Sequence, residues 1–265
     1  MDLSHFSIAH IKQLAVSQTG QDTAFLQALE QDKRIGVQQL RQQLERAQCK
    51  ERAEDERLRK LFWREEHLKN RGIALVAGVD EAGRGPLAGP VMAAAVILPG
   101  WVRLSGLNDS KKLTPTKRKA LASDIKKVSQ TWAVGTSTVD EINQLNIHQA
   151  ALLAMKRAIL GLGEKPQQIL VDGCCVIGSG IPENPVVGGD RLCASIAAAS
   201  ILAKVTRDDW MEQYHQQYPQ YGFAQHKGYG TAEHLAALRQ YGPCPQHRIG
   251  FGPVKDWMEV NGLNE

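Results

Sequence analysis

The stretch Ile73-Ala74-Leu75-Val76-Ala77-Gly78-Val79-Asp80-Glu81-Ala82-Gly83-Arg84-Gly85-Pro86-Leu87-Ala88-Gly89-Pro90-Val91 decides how the rest of the chain is read. A short apolar run ends on two adjacent carboxylates, Asp80 and Glu81. A loop punctuated by Gly83, Gly85 and Gly89 follows at once, with Arg84 inside it. An apolar run of this length, bounded by glycine, reads as a buried strand. Glycines so closely spaced mark backbone that must approach a neighbour, because a Cβ would hold it away. An acidic pair alone also fits a surface strand end followed by a turn.

Outward from this stretch the chain alternates between strand-like and helix-like segments. Ile73–Val79 and Val91–Leu98 read as strands. Pro115 suits the first turn of a helix running to about Val128. Trp132–Ser137 is a further strand, and Val139–Leu162 reads as mostly helical. Ile169-Leu170-Val171 is a short buried strand ending on Asp172. Val186-Val187-Gly188-Gly189-Asp190 repeats the theme of apolar residues, glycines and a carboxylate. Ser195 to about Gln217 is a helix that starts rich in alanine. Thr231–Tyr241 is another, with Thr231 as its N-cap, and a late helical turn surrounds Trp257. Strands mixed with helices predict a layered α/β domain over residues 71–265.

Residues 1–70 differ. They are rich in Gln, Glu, Arg and Lys and contain no proline. Ile8, Ile11, Leu14 and Ala15 recur at helical spacing, Gly20 and Asp22 read as a stop and a new N-cap, and Phe25, Ala28 and Leu29 suit a second short helix. Arg34 to Asn70 reads as one or two charged helices with Val37, Leu40, Leu44 and Ala47 as a narrow stripe. The expectation is a helical N-terminal extension, either a docked appendage or an accessory contact for nucleic acid.

The net charge of +4 is compatible with a polyanionic partner without requiring one. No apolar run reaches the roughly 18 residues of a membrane-spanning helix, so no membrane association is expected. The N-terminus lacks a signal-peptide pattern. Cys49, Cys174, Cys175, Cys193 and Cys244 are odd in number and form no Cys-x-x-Cys motif, which predicts neither a disulfide framework nor a zinc site. A reducing, cytoplasmic setting fits.

Three strand-like segments thus end on acids: Asp80 with Glu81, Asp172, and Asp190. Polar groups beyond strand ends gather at one edge of an α/β sheet. Four carboxylates gathered there repel one another unless cations sit between them. Hard oxygen ligands suit Mg²⁺ or Mn²⁺. Two such ions about 3.5–4 Å apart clamp the attacking and leaving oxygens of a phosphoryl displacement. Scattered acids that cap helices or pair with lysine are the other reading of the same pattern.

Gly78–Val91 and Asp109-Ser110-Lys111-Lys112-Leu113 resemble the signature of the ribonuclease HII family. Ser195–Asp208 is similar to that family's helix after its last catalytic acid. Gly228-Tyr229-Gly230-Thr231 and His247-Arg248 follow in the family's order. The resemblance covers about residues 72–255, and some bacterial members carry a similar N-terminal extension. It implies a ribonuclease H-like fold: a mixed five-stranded sheet flanked by helices, with a helical C-terminal subdomain.

Carried over by position, the resemblance implies that Asp80, Glu81, Asp172 and Asp190 are the catalytic acids and hold two Mg²⁺ or Mn²⁺ ions. It implies that Gly83, Arg84 and Gly85 bring backbone to a ribose 2′-hydroxyl, with Arg84 near phosphate. Tyr229 matches a tyrosine that stacks on a sugar at the RNA–DNA junction, and Ser110 and Lys111 match a loop near substrate phosphates. The implied reaction is hydrolysis on the 5′ side of a ribonucleotide in duplex DNA, or of the RNA strand of a hybrid. It leaves 3′-hydroxyl and 5′-phosphate ends, and its implied roles are ribonucleotide repair and RNA primer removal by a monomer. The sequence departs from the family pattern after Asp190: Leu192 stands at a usual lysine position, Arg191 is a candidate replacement, and Gly188 stands where some relatives have lysine. The sister ribonuclease HIII family usually lacks this arginine in its glycine loop and has glutamate as its last acid, so Arg84 and Asp190 favour HII.

Several residues have plain readings. Lys204 and Arg207 fit a solvated helix face or a phosphate contact. His226 and His234 read as ordinary polar residues, and His247-Arg248 as structural or substrate-facing. Cys174-Cys175 reads as a buried, inert pair, and Trp132 as core. Two rival functions are weighed. A dinucleotide-binding oxidoreductase would use Gly83–Gly89, but the loop is one residue too long and puts two acids beside a pyrophosphate. A non-catalytic hybrid-binding protein would be expected to lack one or more of the acids.

Overall fold

The computed structural model describes residues 2–3, 5–17 and 23–263, so the stop at Gly20 and cap at Asp22 lie outside the described residues. By contacts the chain divides into two units, Met1–Arg57 and Leu58–Glu265.

The first unit contains α1 (Ile8–Ser17), α2 (Thr23–Gln31) and most of α3 (Ile35–Leu61). Its own small core holds Ile11, Phe25, Leu29, Val37 and Leu40, the residues at helical spacing. Arg34 ties its loops together, donating to the carbonyls of Leu3 and Phe6, each at 2.8 Å.

The second unit is built on one sheet. Its strands are β1 (Val76–Ala82), β2 (Val91–Ile97), β3 (Thr131–Ser137), β4 (Gln168–Asp172) and β5 (Glu183–Val186), in the order β3-β2-β1-β4-β5. β1 pairs antiparallel with β2 and parallel with β4, so the sheet is mixed, as expected. Asp80 and Glu81 lie within β1, paired with Ala94 and Ala93, rather than beyond its end. β1 continues through the acids because the alanines of β2 keep offering partners.

Helices cover both faces. Successive strand residues point to opposite sides. Ala94 and Val96 therefore pack with Leu121 and Ile125 of α5 (Pro115–Val128) and with Ala197, Ile201 and Leu202 of α8 (Ala194–Gln217). Ala93 and Ala95 pack with Ala150, Ala154 and Ala158 of α7 (Ile147–Leu160). The small residues let helices sit directly on strands: a Cβ on Gly78 would fall 2.2 Å from the Ser195 carbonyl carbon.

The helix expected over Val139–Leu162 is two helices, α6 (Val139–Leu145) and α7, separated by Asn146 at φ 73°. The Asn146 side chain accepts the N–H groups of His148 and Gln149, which stabilises a fresh start. A short helix, α4 (Trp63–Asn70), precedes the sheet. Three helices end the chain: α9 (Phe223–His226), α10 (Ala232–Tyr241) with Thr231 as N-cap, and α11 (Gly252–Val260) where a single turn was expected. Among the described residues, no helix is long and apolar enough to cross a membrane.

Candidate active site

The parallel register that pairs Val79 with Val171 brings Asp80 and Asp172, the next residue of each strand, to the same level of the sheet. Asp190 is not at a strand end. It lies in a single 3-10 turn, Gly189–Arg191, beyond β5 and just before α8. That turn is fastened to β4, because the Gly189 N–H donates to Asp172 Oδ1 at 2.7 Å. A Cβ on Gly189 would fall 2.5 Å from Ile196 Cδ1 and 3.2 Å from Asp172 Oδ1, so glycine eases the approach of the turn.

The electrostatics are those of crowded, partly buried carboxylates. Burial pushes Asp80 well above the usual carboxylate range, and repulsion from Glu81 and Asp172 adds to it; hydrogen bonds from Ser200 and the Glu81 N–H oppose. Burial also raises Glu81, against the Arg84 guanidinium, whose Nη1 lies 3.3 Å from Glu81 Oε1. Asp190 is raised by burial and by Asp109 and Asp172, with Lys111 and Arg191 opposing. Such an excess of negative charge on oxygen donors fits hard divalent cations. Among the described residues, no three Asp, Glu, His or Cys side chains close on one point as a ligand set.

The loop after β1 is shaped by two buried arginines, Arg248 and Arg207. Arg248 donates to the carbonyls of Gly83 at 2.6 Å, Arg84 at 2.9 Å, Pro86 at 2.7 Å and Gly89 at 2.7 Å. Arg207 donates to Pro90, Ala88 and Lys227 carbonyls, each at 3.0 Å. Gly83 has φ 101°, and its Cβ would fall 2.1 Å from Arg207 Nε, so glycine there makes room for the arginine. Gly85 is exposed; its Cβ would meet only Tyr229 Cε1, at 3.6 Å. The half-exposed Tyr229 ring therefore stands beside the loop, with Lys204 Nζ 5.8 Å from its centroid.

Ser110 and Lys111 sit differently from each other. Ser110 is buried, and its hydroxyl lies 3.0 Å from that of Ser200, the residue bonded to Asp80. Lys111 is exposed, with its N–H bound to Asp109 Oδ1 at 2.9 Å. Arg191 Nε lies 3.6 Å from Asp109 and 3.9 Å from Asp190, placing its charge among these acids.

Other expectations change. Arg207 is fully buried rather than on a solvated face, because its partners are carbonyls of packed loops. His234 and His247 are buried too, and of its two readings Arg248 takes the structural one, bound to loop carbonyls. Cys174 and Cys175 are exposed, with sulfurs 3.6 Å apart, because they follow the end of β4 in a loop. Trp132 is partly exposed on the edge strand, under Lys126 Nζ at 4.7 Å. Arg207 and Arg248 were missed as loop supports because charge in a sequence reads as surface.

The Gly83–Gly89 loop leads into β2, a strand, and not into a helix N-terminus, which removes the dinucleotide reading. The model of the family described as Ribonuclease HII matches residues 77–254, and that of the Ribonuclease HII N-terminal domain matches residues 7–69. The chain is 56% identical to a ribonuclease HII of Pelotomaculum thermopropionicum over 96% of each chain. It superposes on the ribonuclease H2 of Pyrococcus horikoshii with a TM-score of 0.62 at 30% identity, over 71% of this chain and 99% of that one. A Bst-RNase HIII solved in complex with Mn²⁺ shares the fold with a TM-score of 0.56 at 20% identity, over 72% of this chain and 71% of that one. With the order of strands, the turned-in glycine loop and these likenesses together, the chain belongs to the ribonuclease HII family and is a ribonuclease H-type endonuclease.

Proposed function

We propose that this endonuclease hydrolyses the RNA strand of RNA–DNA hybrids and nicks duplex DNA on the 5′ side of single embedded ribonucleotides, leaving 3′-hydroxyl and 5′-phosphate ends. The observation that supports this most is the placement of the Asp80–Glu81 pair directly before a backbone loop whose carbonyls at Gly83 and Arg84 are turned inward. Residues 71–265 would carry the catalytic residues and residues 1–70 the helical extension, whose last part from Leu58 belongs to the catalytic unit.

Asp80, Glu81, Asp172 and Asp190 would hold two Mg²⁺ or Mn²⁺ ions. Such ions, when bound, lower the pKa of an attacking water and stabilise charge on the leaving oxygen. The chain supplies the rest. Arg248 takes up the carbonyls of Gly83 and Arg84, and the amide N–H groups of that loop would meet an incoming ribose oxygen. The 2′-hydroxyl is what separates RNA from DNA at such a site. Arg84 is exposed and reaches phosphate while it holds Glu81. Tyr229 stacks on the neighbouring sugar, and Lys111, positioned by its turn, contacts phosphate. These products suit ribonucleotide excision repair and primer removal by a cytoplasmic monomer.

The test is a duplex DNA carrying one ribonucleotide, incubated with Mg²⁺, with Mn²⁺ and with chelator. The expected product is a nick whose 3′ end a DNA polymerase extends directly. Cleavage that survives the chelator, or a 2′,3′-cyclic phosphate end, would overturn the mechanism.

A further inference from the structure

His247 and Arg248 are adjacent, and their side chains reach two neighbouring parts of the site. Arg248 sets the glycine loop. His247 leads to Tyr229 through hydrogen bonds whose directions are fixed. The Cys244 N–H donates to His247 Nδ1 at 2.9 Å. A ring nitrogen that accepts carries no proton, so neutral His247 has its proton on Nε2. His234 Nε2 lies 3.0 Å away and must accept it. The His234 proton is then on Nδ1, and it is donated to the Tyr229 carbonyl at 2.9 Å. On the other side, the Gly228 N–H donates to His226 Nδ1 at 3.2 Å, and His226 Nε2–H donates to the Tyr221 carbonyl at 2.7 Å.

We propose that His234 and His247 are positioning residues, which hold the Tyr229 backbone, and with it the ring beside Gly85, through two imidazoles locked in opposite tautomers. The inference rests on the reading of Tyr229 as a substrate contact. The packing leaves the chain of bonds one arrangement. His234 and His247 are 0% and 2% exposed. The rings of His226 and His234 stack at 4.5 Å, and Phe223 lies against His234 and His247. A second proton on His234 would set one N–H against another. Burial keeps both rings neutral, lowering His247 to about 4.

Long-range ¹H–¹⁵N NMR of the full-length, histidine-labelled protein reads the tautomers without turnover. His247 and His226 are expected as Nε2–H and His234 as Nδ1–H. An Nε2–H tautomer on His234 would overturn the relay. Kinetics on the single-ribonucleotide duplex then test its purpose. His234→Ala should raise KM by about five- to tenfold, the loss of one hydrogen bond, with kcat little changed. His234→Asn, whose amide N–H stands near the Nδ1–H position, should recover most of that loss. In a Tyr229→Ala background, His234→Ala should add less than about twofold. Full additivity would overturn the coupling to Tyr229. Wild-type KM and kcat for Tyr229→Ala alone would instead overturn the substrate-contact reading.

Discussion

Arg248 Nη2 lies 2.6 Å from the carbonyl oxygen of Gly83, across 165 residues of sequence. A planar guanidinium can meet several carbonyls at once in a fixed fork, which an ammonium cannot. Here it meets those of Gly83, Arg84, Pro86 and Gly89, and so one side chain near the C-terminus holds the loop beside Asp80 and Glu81.

Arg248→Lys should therefore damage both stability and cleavage. Each carbonyl left buried without a donor costs about 1–3 kcal/mol. Lysine leaves more than one unmet, so urea unfolding should show a loss of about 3 kcal/mol or more. Because Gly83 and Arg84 shift with the loop, kcat/KM should fall by about 100-fold. Wild-type cleavage would mean that the loop keeps its shape unaided.

Asp80→Asn should stop cleavage and stabilise the metal-free protein. The folded pKa of Asp80 is raised by burial and by Glu81 and Asp172. An acid raised on folding binds more protons in the native state, so its contribution to stability falls as pH rises from its unfolded pKa through its folded one. At neutral pH the ionised group costs stability, and the neutral amide removes that cost. In chelator, the melting temperature should rise by about 2–4 °C, the shift that accompanies about 1 kcal/mol at this size. Mg²⁺ should then stabilise the wild type more than the variant. A variant that melts lower in chelator would contradict the crowding of charges.

The sheet was readable because its strands are short apolar runs broken by glycine and proline, as at Val91–Ile97. The apolar runs that end on acids singled out Asp80, Glu81, Asp172 and Asp190, although Asp190 lies in a turn outside any strand. Its turn is held by one N–H from Gly189 to Asp172, a bond with no sequence signature. The roles of Arg207, His234, His247 and Arg248 were hidden for a related reason. Charged and polar residues read as surface unless their partners are known, and these partners are backbone atoms brought together by the fold. Gly83 shows the same limit: its glycine was legible, but the guanidinium that requires it was not.

Glu65 on α4 should matter through one oxygen. Its Oε1 accepts the Ser195 N–H at 2.8 Å and the Ser195 hydroxyl at 2.6 Å, at the start of the helix that follows Asp190. Burial raises its pKa, so ionising it costs stability as pH rises through that raised value. Glu65→Gln keeps an acceptor without the charge and should be neutral or stabilising near pH 7. Glu65→Ala removes the cap of a buried helix start and should cost about 1–2 kcal/mol. Equal melting curves for the two variants would refute this role.

The same α4 segment decides where the chain can be shortened. Composition changes at Asn70–Gly72, yet the second compact unit reaches back to Leu58. Leu58, Leu61 and Phe62 are buried with Ala94, Leu121 and Ala197 in one core, and Leu68 packs against the cluster of Val76 and Leu170. Each large apolar side chain buried in this way contributes about 1.5–3 kcal/mol. A chain lacking residues 1–70 gives up all four and the Glu65 cap as well. Its loss should be comparable to the whole margin of an ordinary domain, about 5–15 kcal/mol. A chain lacking residues 1–53 keeps them, together with Glu54, which pairs with Arg57 at 2.7 Å in the last turns of α3. Circular dichroism melts should show a cooperative transition for the second truncation and none for the first. Both truncations melting alike would place the structural boundary at the compositional one.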